Sequence, residues 1–194
     1  MKPITDISQL DLTKSYTIAD YLSWQFEEMV ELIKGKIYKM SPAPVSKHQK
    51  ISAAISSEIF QFLKKKPCSV YFAPFDVYLP IEKTSGKPTV VQPDICVICD
   101  VSKIDNKGCI GAPDMIVEIL SPSTTHKDVN EKFEVYEASG VTEYWIVSPG
   151  DKLVDVFLLE NDKYQLKGKF TLGDKISPYI LPGLVIDLDE VFED

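Results

Sequence analysis

Arginine is absent from the 194 residues, so all 21 basic side chains are lysine, set against 29 aspartates and glutamates. Without guanidinium forks there is no bidentate arginine contact to guanine or carboxylate and no arginine finger, and work on phosphate falls to lysine point charges. The formal charge of −8 repels nucleic acid at long range, so DNA binding has to come from a local lysine patch or from metal ions. Long apolar runs are also missing. No stretch approaches the roughly 18 residues that span a bilayer, and Met1 to Asp6 carries no signal-like run, so the expectation is a cytoplasmic chain with no membrane partner. The four cysteines, Cys68, Cys96, Cys99 and Cys109, show neither the density nor the context of a secreted disulfide scaffold. No repeat, low-complexity tract or long Pro/Gly/Ser linker divides the chain.

What is present is ordinary for a soluble globular protein: 44% hydrophobic and 26% charged residues. The length fits one domain, 1–194. Thr17 can cap a helix carrying Ile18, Tyr21, Leu22 and Phe26. Lys34-Gly35 then reads as a hairpin turn between Glu31-Leu32-Ile33 and Lys36-Ile37-Tyr38. From His48 to Lys66, Ile51, Ile55, Ile59, Phe62 and Leu63 recur at spacings of four and three, the stripe of an amphipathic helix, with His48 on the same stripe. Strands are expected over Ser69–Leu79, Val90–Cys99 and Pro113–Leu120. A helix capped by Ser123 or Thr124 and ended by Gly140 follows, with Val129, Phe133 and Tyr136 inward and Lys132 on or beside that face. Further strands are expected over Glu143–Val147, Leu153–Leu159 and Tyr164–Phe170. This order predicts an α/β or α+β fold, a mixed sheet flanked by helices.

The most informative residues are carboxylates in otherwise apolar strands, Asp94 and Glu118. Burying an anion costs several kcal/mol unless a cation neutralises it, so the pair points to a metal or a lysine, and oxygen ligands favour magnesium or manganese. The alternative is that each faces solvent from an exposed side of its strand. Asp114 shares a strand face with Glu118 at a distance of roughly 13 Å, too far to share one ion, and suits a cap or turn at the strand's entrance. Lys132 either reaches over the end of the sheet to hold the attacking water or the scissile phosphate, or snorkels to solvent. His48 is either a satisfied structural histidine or a group near substrate phosphate or water. Glu31, beside an apolar pair, is a candidate metal ligand through water. Cys96-x-x-Cys99 resembles half a zinc site, but residues three apart in a strand face opposite ways and no second pair stands at metal spacing. Lysines 34, 36, 39, 47, 50 and 64 to 66 concentrate positive charge in the first third of the chain, as a phosphate-facing surface or as a solvated helix end.

The string Gly111-Ala112-Pro113-Asp114-Met115-Ile116-Val117-Glu118-Ile119-Leu120-Ser121-Pro122-Ser123-Thr124 resembles the Uma-two family of restriction-endonuclease-like proteins. So do Asp128, Lys132, Tyr136 and Gly140-Val141-x-Glu143-Tyr144-Trp145-Ile146-Val147. Upstream, Glu31-Leu32-Ile33-x-Gly35-x-Ile37-Tyr38-x-Met40-Ser41-Pro42, His48 and Gln92-Pro93-Asp94 follow the same pattern in the same order. That family is similar to the PD-(D/E)XK nucleases, and the resemblance implies a restriction-endonuclease-like core with an Asp, an acidic residue and a Lys around a divalent metal. Asp94 matches the Pro-Asp aspartate and Glu118 the second acidic residue. Leu120 stands where the superfamily has its lysine, a place that Lys132 takes from the next helix, and Glu31 matches the early acidic position. The resemblance thus implies phosphodiester hydrolysis in DNA, with Asp94, Glu118 and Lys132 catalytic, Asp94, Glu118 and Glu31 holding magnesium or manganese, His48 and Gln92 near substrate, and a homodimer. Two other readings are a non-catalytic module of the same fold that binds nucleic acid or protein, and an assembly protein that oligomerises through a strand edge.

Overall fold

The computed structural model describes residues 4–40, 46–80, 82–84, 86–121 and 126–193. Thr17 caps α1 (Ile18–Ser23) in a reciprocal box, its hydroxyl taking the Asp20 N–H and the Asp20 carboxylate taking its own. β1 (Val30–Ile33) and β2 (Lys36–Lys39) are joined by Lys34 and Gly35, both at positive φ (50° and 75°), as a primed hairpin turn requires. α2 (Ser46–Leu63) buries Ile51, Ile55, Ile59 and Leu63 along one stripe, with His48 at its head.

Two segments that read as single strands are each broken at a proline. Ser69–Leu79 divides into β3 (Ser69–Phe72) and β4 (Val77–Leu79) around Pro74, and Val90–Cys99 into β5 (Thr89–Val91) and β6 (Ile95–Ile98) around Pro93. Proline has no N–H to give a ladder, and at each break the chain passes from one sheet to another. β7 (Ile104–Asp105), β8 (Gly108–Ile110) and β9 (Met115–Ile119) follow. β9 is shorter than the expected 113–120; Asp114 stands at its entrance, its backbone bonded to Val97 and Glu143 and its carboxylate accepting the Cys99 N–H at 2.7 Å. α3 (His126–Ser139) ends at Gly140, whose positive φ (88°) lets its N–H and that of Val141 reach the Tyr136 carbonyl. The expected caps, Ser123 and Thr124, lie outside the described residues. β10 (Glu143–Ser148), β11 (Leu153–Glu160), β12 (Lys163–Phe170), β13 (Lys175–Ile176), β14 (Ile186–Asp187) and α4 (Leu188–Val191) complete the chain.

The fold is α+β. The strands form two mixed six-stranded sheets, β2-β1-β5-β4-β8-β7 and β12-β11-β10-β9-β6-β3, besides the small β13-β14 pair. In the second sheet β9 and β10 are parallel, joined by α3 as a crossover. One face of that sheet packs Met115, Val117 and Trp145 against α2 and α4. The other packs Cys96, Ile116 and Tyr144 with α3 against Ile33, Val77 and Val91 of the first sheet. α3 therefore touches both sheets, and its polar residues on that side need partners between them.

Register also decides the cysteines. Ser69 pairs with Ile98, which sets Cys68 opposite Cys99, and these two form a disulfide across 31 residues of sequence. Spacing alone gave no hint of it, because the pairing depends on strand alignment. Cys96 and Cys109 are buried free thiols. The lysine-rich first third is likewise divided: Lys34 pairs with Glu131 and Glu134 of α3, and Lys36 reaches the carbonyls of Thr13 and Lys14. Among the described residues no helix is long and apolar enough to cross a membrane.

Candidate active site

Glu118 sits one residue from the end of β9, between β6 and β10. Antiparallel pairing of Ile95 with Val117, carried one step further, sets Asp94 opposite Glu118 on the same face. Asp94 is fixed there by the Ile119 N–H, which donates to its Oδ2 at 2.7 Å. Asp94 follows the strand break at Pro93 and continues the pairing at the head of β6, its carbonyl accepting the Ala73 N–H at 3.1 Å.

α3 brings the cation. Lys132 Nζ lies 3.0 Å from Glu118 Oε1 and 2.8 Å from Glu31 Oε1, so one ammonium bridges a carboxylate from each sheet. One turn along α3, the Tyr136 hydroxyl donates to the same Glu118 Oε1 at 2.7 Å. All three charged side chains are nearly enclosed. Burial pushes the Glu118 carboxyl up to about 7; Lys132 pulls it down, and the charges of Asp94 and Glu31 add to the rise. Burial would depress the Lys132 ammonium, but Glu118 and Glu31 outweigh it and hold the group above the ordinary lysine value.

His48, at the head of α2, brings Nε2 to 3.3 Å from Asp94 Oδ2. The hydrogen bond to Asp94 raises its imidazole above the ordinary value against the opposing effect of burial. Lys47 and His48 border a cavity of about 340 Å³ whose other walls include Leu120, Ser121 and Ser148, just beyond the ends of β9 and β10. The cavity is in the size range of small-ligand sites and opens beside the carboxylates, although Asp94, Glu118 and Lys132 do not line it.

Gln92 faces inward. Its N–H donates to Glu31 Oε1 at 2.8 Å, and its Nε2 donates to Asp76 Oδ1 at 2.7 Å. Asp76 also accepts from the Tyr21 and Tyr78 hydroxyls, both at 3.1 Å. Among the described residues, Gln92 Oε1 and His48 Nδ1 are buried without a partner. The chain Asp76, Gln92, Glu31, Lys132, Glu118 is a continuous set of hydrogen bonds from the first sheet to the second.

The donor chemistry fits a hard divalent cation, as an open site. Among the described residues, no hydrogen bond reaches Asp94 Oδ1 or Glu118 Oε2, while Glu31 Oε1 is taken by Lys132 and Gln92. Among them too, no group of three or more His, Cys, Asp or Glu side chains is placed to hold a metal ion by itself. Two side-chain carboxylates with the remaining positions left to water and phosphate is the arrangement magnesium favours.

Of the residues singled out in the sequence, the structure brings together Asp94, Glu118, Lys132, Glu31 and His48, and sets Gln92 behind them with both donors on internal carboxylates. Asp76 and Tyr136 were missed as site residues. Asp76 had a signal, since it follows Pro74 at a strand break much as Asp94 follows Pro93. Tyr136 read only as an inward residue of its helix.

Sequence comparison finds the uncharacterized protein slr1290 of Synechocystis sp. to be 27% identical over 160 residues, covering 81% of each chain. A crystal structure described as "a putative nuclease belonging to DUF820", from Anabaena variabilis, superposes with a TM-score of 0.73 at 21% identity, over 91% of this chain and 97% of that one. That likeness shows a restriction-endonuclease-like fold. The sequence profile of the Uma2 family, described as "Putative restriction endonuclease", matches residues 18–189, so the α+β frame and nearly all of the sequence agree, and the chain belongs to that family.

Proposed function

We propose that this chain is a divalent-metal-dependent endonuclease acting on DNA phosphodiester bonds, with Asp94, Glu118 and Lys132 catalytic. The observation that carries the reading is the meeting of Asp94 and Glu118 from neighbouring strands where Lys132 Nζ stands 3.0 Å from Glu118. Magnesium or manganese held by these two carboxylates would supply a Lewis acid for the phosphate and an acidified water. Lys132 contributes a fixed positive charge, held in place before substrate arrives, that orients the nucleophile or offsets charge developing on the phosphate. Glu31 and Gln92 act as positioning residues in this assignment, Glu31 by gripping the ammonium and Gln92 by gripping Glu31. His48 orients Asp94 and borders the cavity that would take substrate. No covalent enzyme intermediate is needed. Two-strand cutting suggests a two-fold dimer as the working unit, in the cytoplasm.

A non-catalytic binding module is the second reading. It is favoured by the double pairing of Lys132, which already offsets charge in the cluster. Supercoiled plasmid incubated with manganese or magnesium separates the two. The nuclease reading expects nicked or linear product with metal, none with EDTA, and none from Asp94→Ala. An intact plasmid contradicts it, and equal cutting by wild type and variant assigns the product to a contaminant.

A further inference from the structure

The buried stripe of α2 has an opposite face that the site just described does not use. At about 100° per residue, Lys50, Ala53, Ser57, Phe60 and Lys64 fall on one line opposite Ile51, Ile55, Ile59 and Leu63, and all five are exposed. That line carries no acidic side chain. The helix has a single carboxylate, Glu58, half-buried on its flank, whereas the segment from 47 to 66 holds five lysines in a chain of formal charge −8. Lys34 and Lys36 are engaged internally, but among the described residues no carboxylate pairs with Lys50 or Lys64. The Lys64 ammonium instead lies over the exposed Phe60 ring, 5.7 Å from its centre. The two central positions, Ala53 and Ser57, are small and let a broad ligand lie close.

The line starts at Lys50, three residues after the cavity-lining Lys47, and runs away from the cavity. β3 starts just after the end of α2 and is parallel to β9 through β6, so α2 runs back along the sheet from the Glu118 end. Lys64 stands one residue past the end of α2, and fourteen residues from Lys50 at 1.5 Å each is about 21 Å, or about six base pairs of duplex. Exposed apolar surface on the line is confined to Phe60 and Ala53, too little to anchor an interfacial helix in lipid.

We propose that the outer face of α2 is a duplex-DNA backbone track, with Lys50 and Lys64 contacting phosphates about six base pairs apart on one side of the cutting site. The inference takes its choice of polyanion from the nuclease reading and adds a surface to it. It gives a net-acidic chain without arginine a local run of lysines, along α2 and just past its end, with which to hold DNA.

The test is fluorescence-anisotropy binding in EDTA, with a DNA duplex of about 24 base pairs, long enough to cover the track. The track predicts that the Lys50→Glu/Lys64→Glu variant binds about tenfold more weakly at ~50 mM salt, with a log–log salt slope shallower by about two. The Lys50→Arg/Lys64→Arg variant should bind as wild type does, and all three should melt at the same temperature, since both positions are exposed. Wild-type binding with the Glu/Glu variant unchanged in affinity and slope overturns the track. Lysine-dependent binding to phosphatidylglycerol vesicles, with none to duplex, overturns it in favour of a lipid surface. Lysine-dependent duplex binding by a protein that never cuts plasmid supports the track while sinking the nuclease reading.

Discussion

Glu118→Gln is expected to lower metal-dependent cleavage on the order of 10³-fold or more while leaving the metal-free protein at pH 8 at least as stable as wild type. The two effects have opposite signs because the carboxylate serves a ligand at the cost of the fold. Its folded value is about 7 against an ordinary 4.5. Between those values the folded chain keeps a proton that the unfolded chain has released, so stability falls as pH rises through that window and levels off above it. The full difference is about 3 kcal/mol, and glutamine, which cannot ionise, removes it. Melting temperatures in EDTA from pH 5 to pH 8 should therefore fall for wild type and stay flatter for Glu118→Gln. A variant less stable than wild type at pH 8 with the same slope would mark Glu118 as structural.

Lys132→Met is expected to lose cleavage and also about 3–5 kcal/mol of stability, because it leaves Glu31 and Glu118 buried together without their cation. For a chain of this size that is a drop in melting temperature on the order of 10 °C. The hydrogen bonds from Tyr136 and the Gln92 N–H remain, so the loss comes from charge rather than from unsatisfied acceptors. Adding Glu31→Gln to Lys132→Met should recover part of the stability and none of the cleavage. Recovery of both would show that the lysine only holds the sheets together. Calorimetric unfolding beside plasmid cleavage reads the two quantities separately.

The elements with local causes were legible in the sequence. Thr17, Lys34-Gly35, the isoleucine stripe of α2 and Gly140 each act through neighbours within a few residues, and the structure has the corresponding cap, turn, helix and stop. The division into two sheets was not legible. Pro74 and Pro93 sit in runs apolar enough to pass as continuous strands, and only tertiary pairing shows that each run changes sheet. The same reason hid the Cys68–Cys99 disulfide and the Asp76 network, whose partners are brought together by register.

Within the site, Asp94 and Glu118 stood out as charges in apolar strands, and Lys132 as the lysine on or beside the inward face of the helix that follows. What the sequence lacked was direction. Glu31 read as a metal ligand and Gln92 as a substrate contact, yet their donors and acceptors meet Lys132, Asp76 and each other. Side chains at one sheet's edge can serve another sheet only once a helix such as α3 lies between them, and that packing is not written in any local window.

Isothermal titration of manganese into wild type and Asp94→Ala at pH 7.5 tests the convergence of the two carboxylates most directly, since it needs no substrate. Saturable binding of about one ion per chain by wild type, lost in Asp94→Ala while that variant still melts cooperatively, is the result expected of an open site built from Asp94 and Glu118. Identical isotherms from the two proteins, or no binding by either, would contradict it.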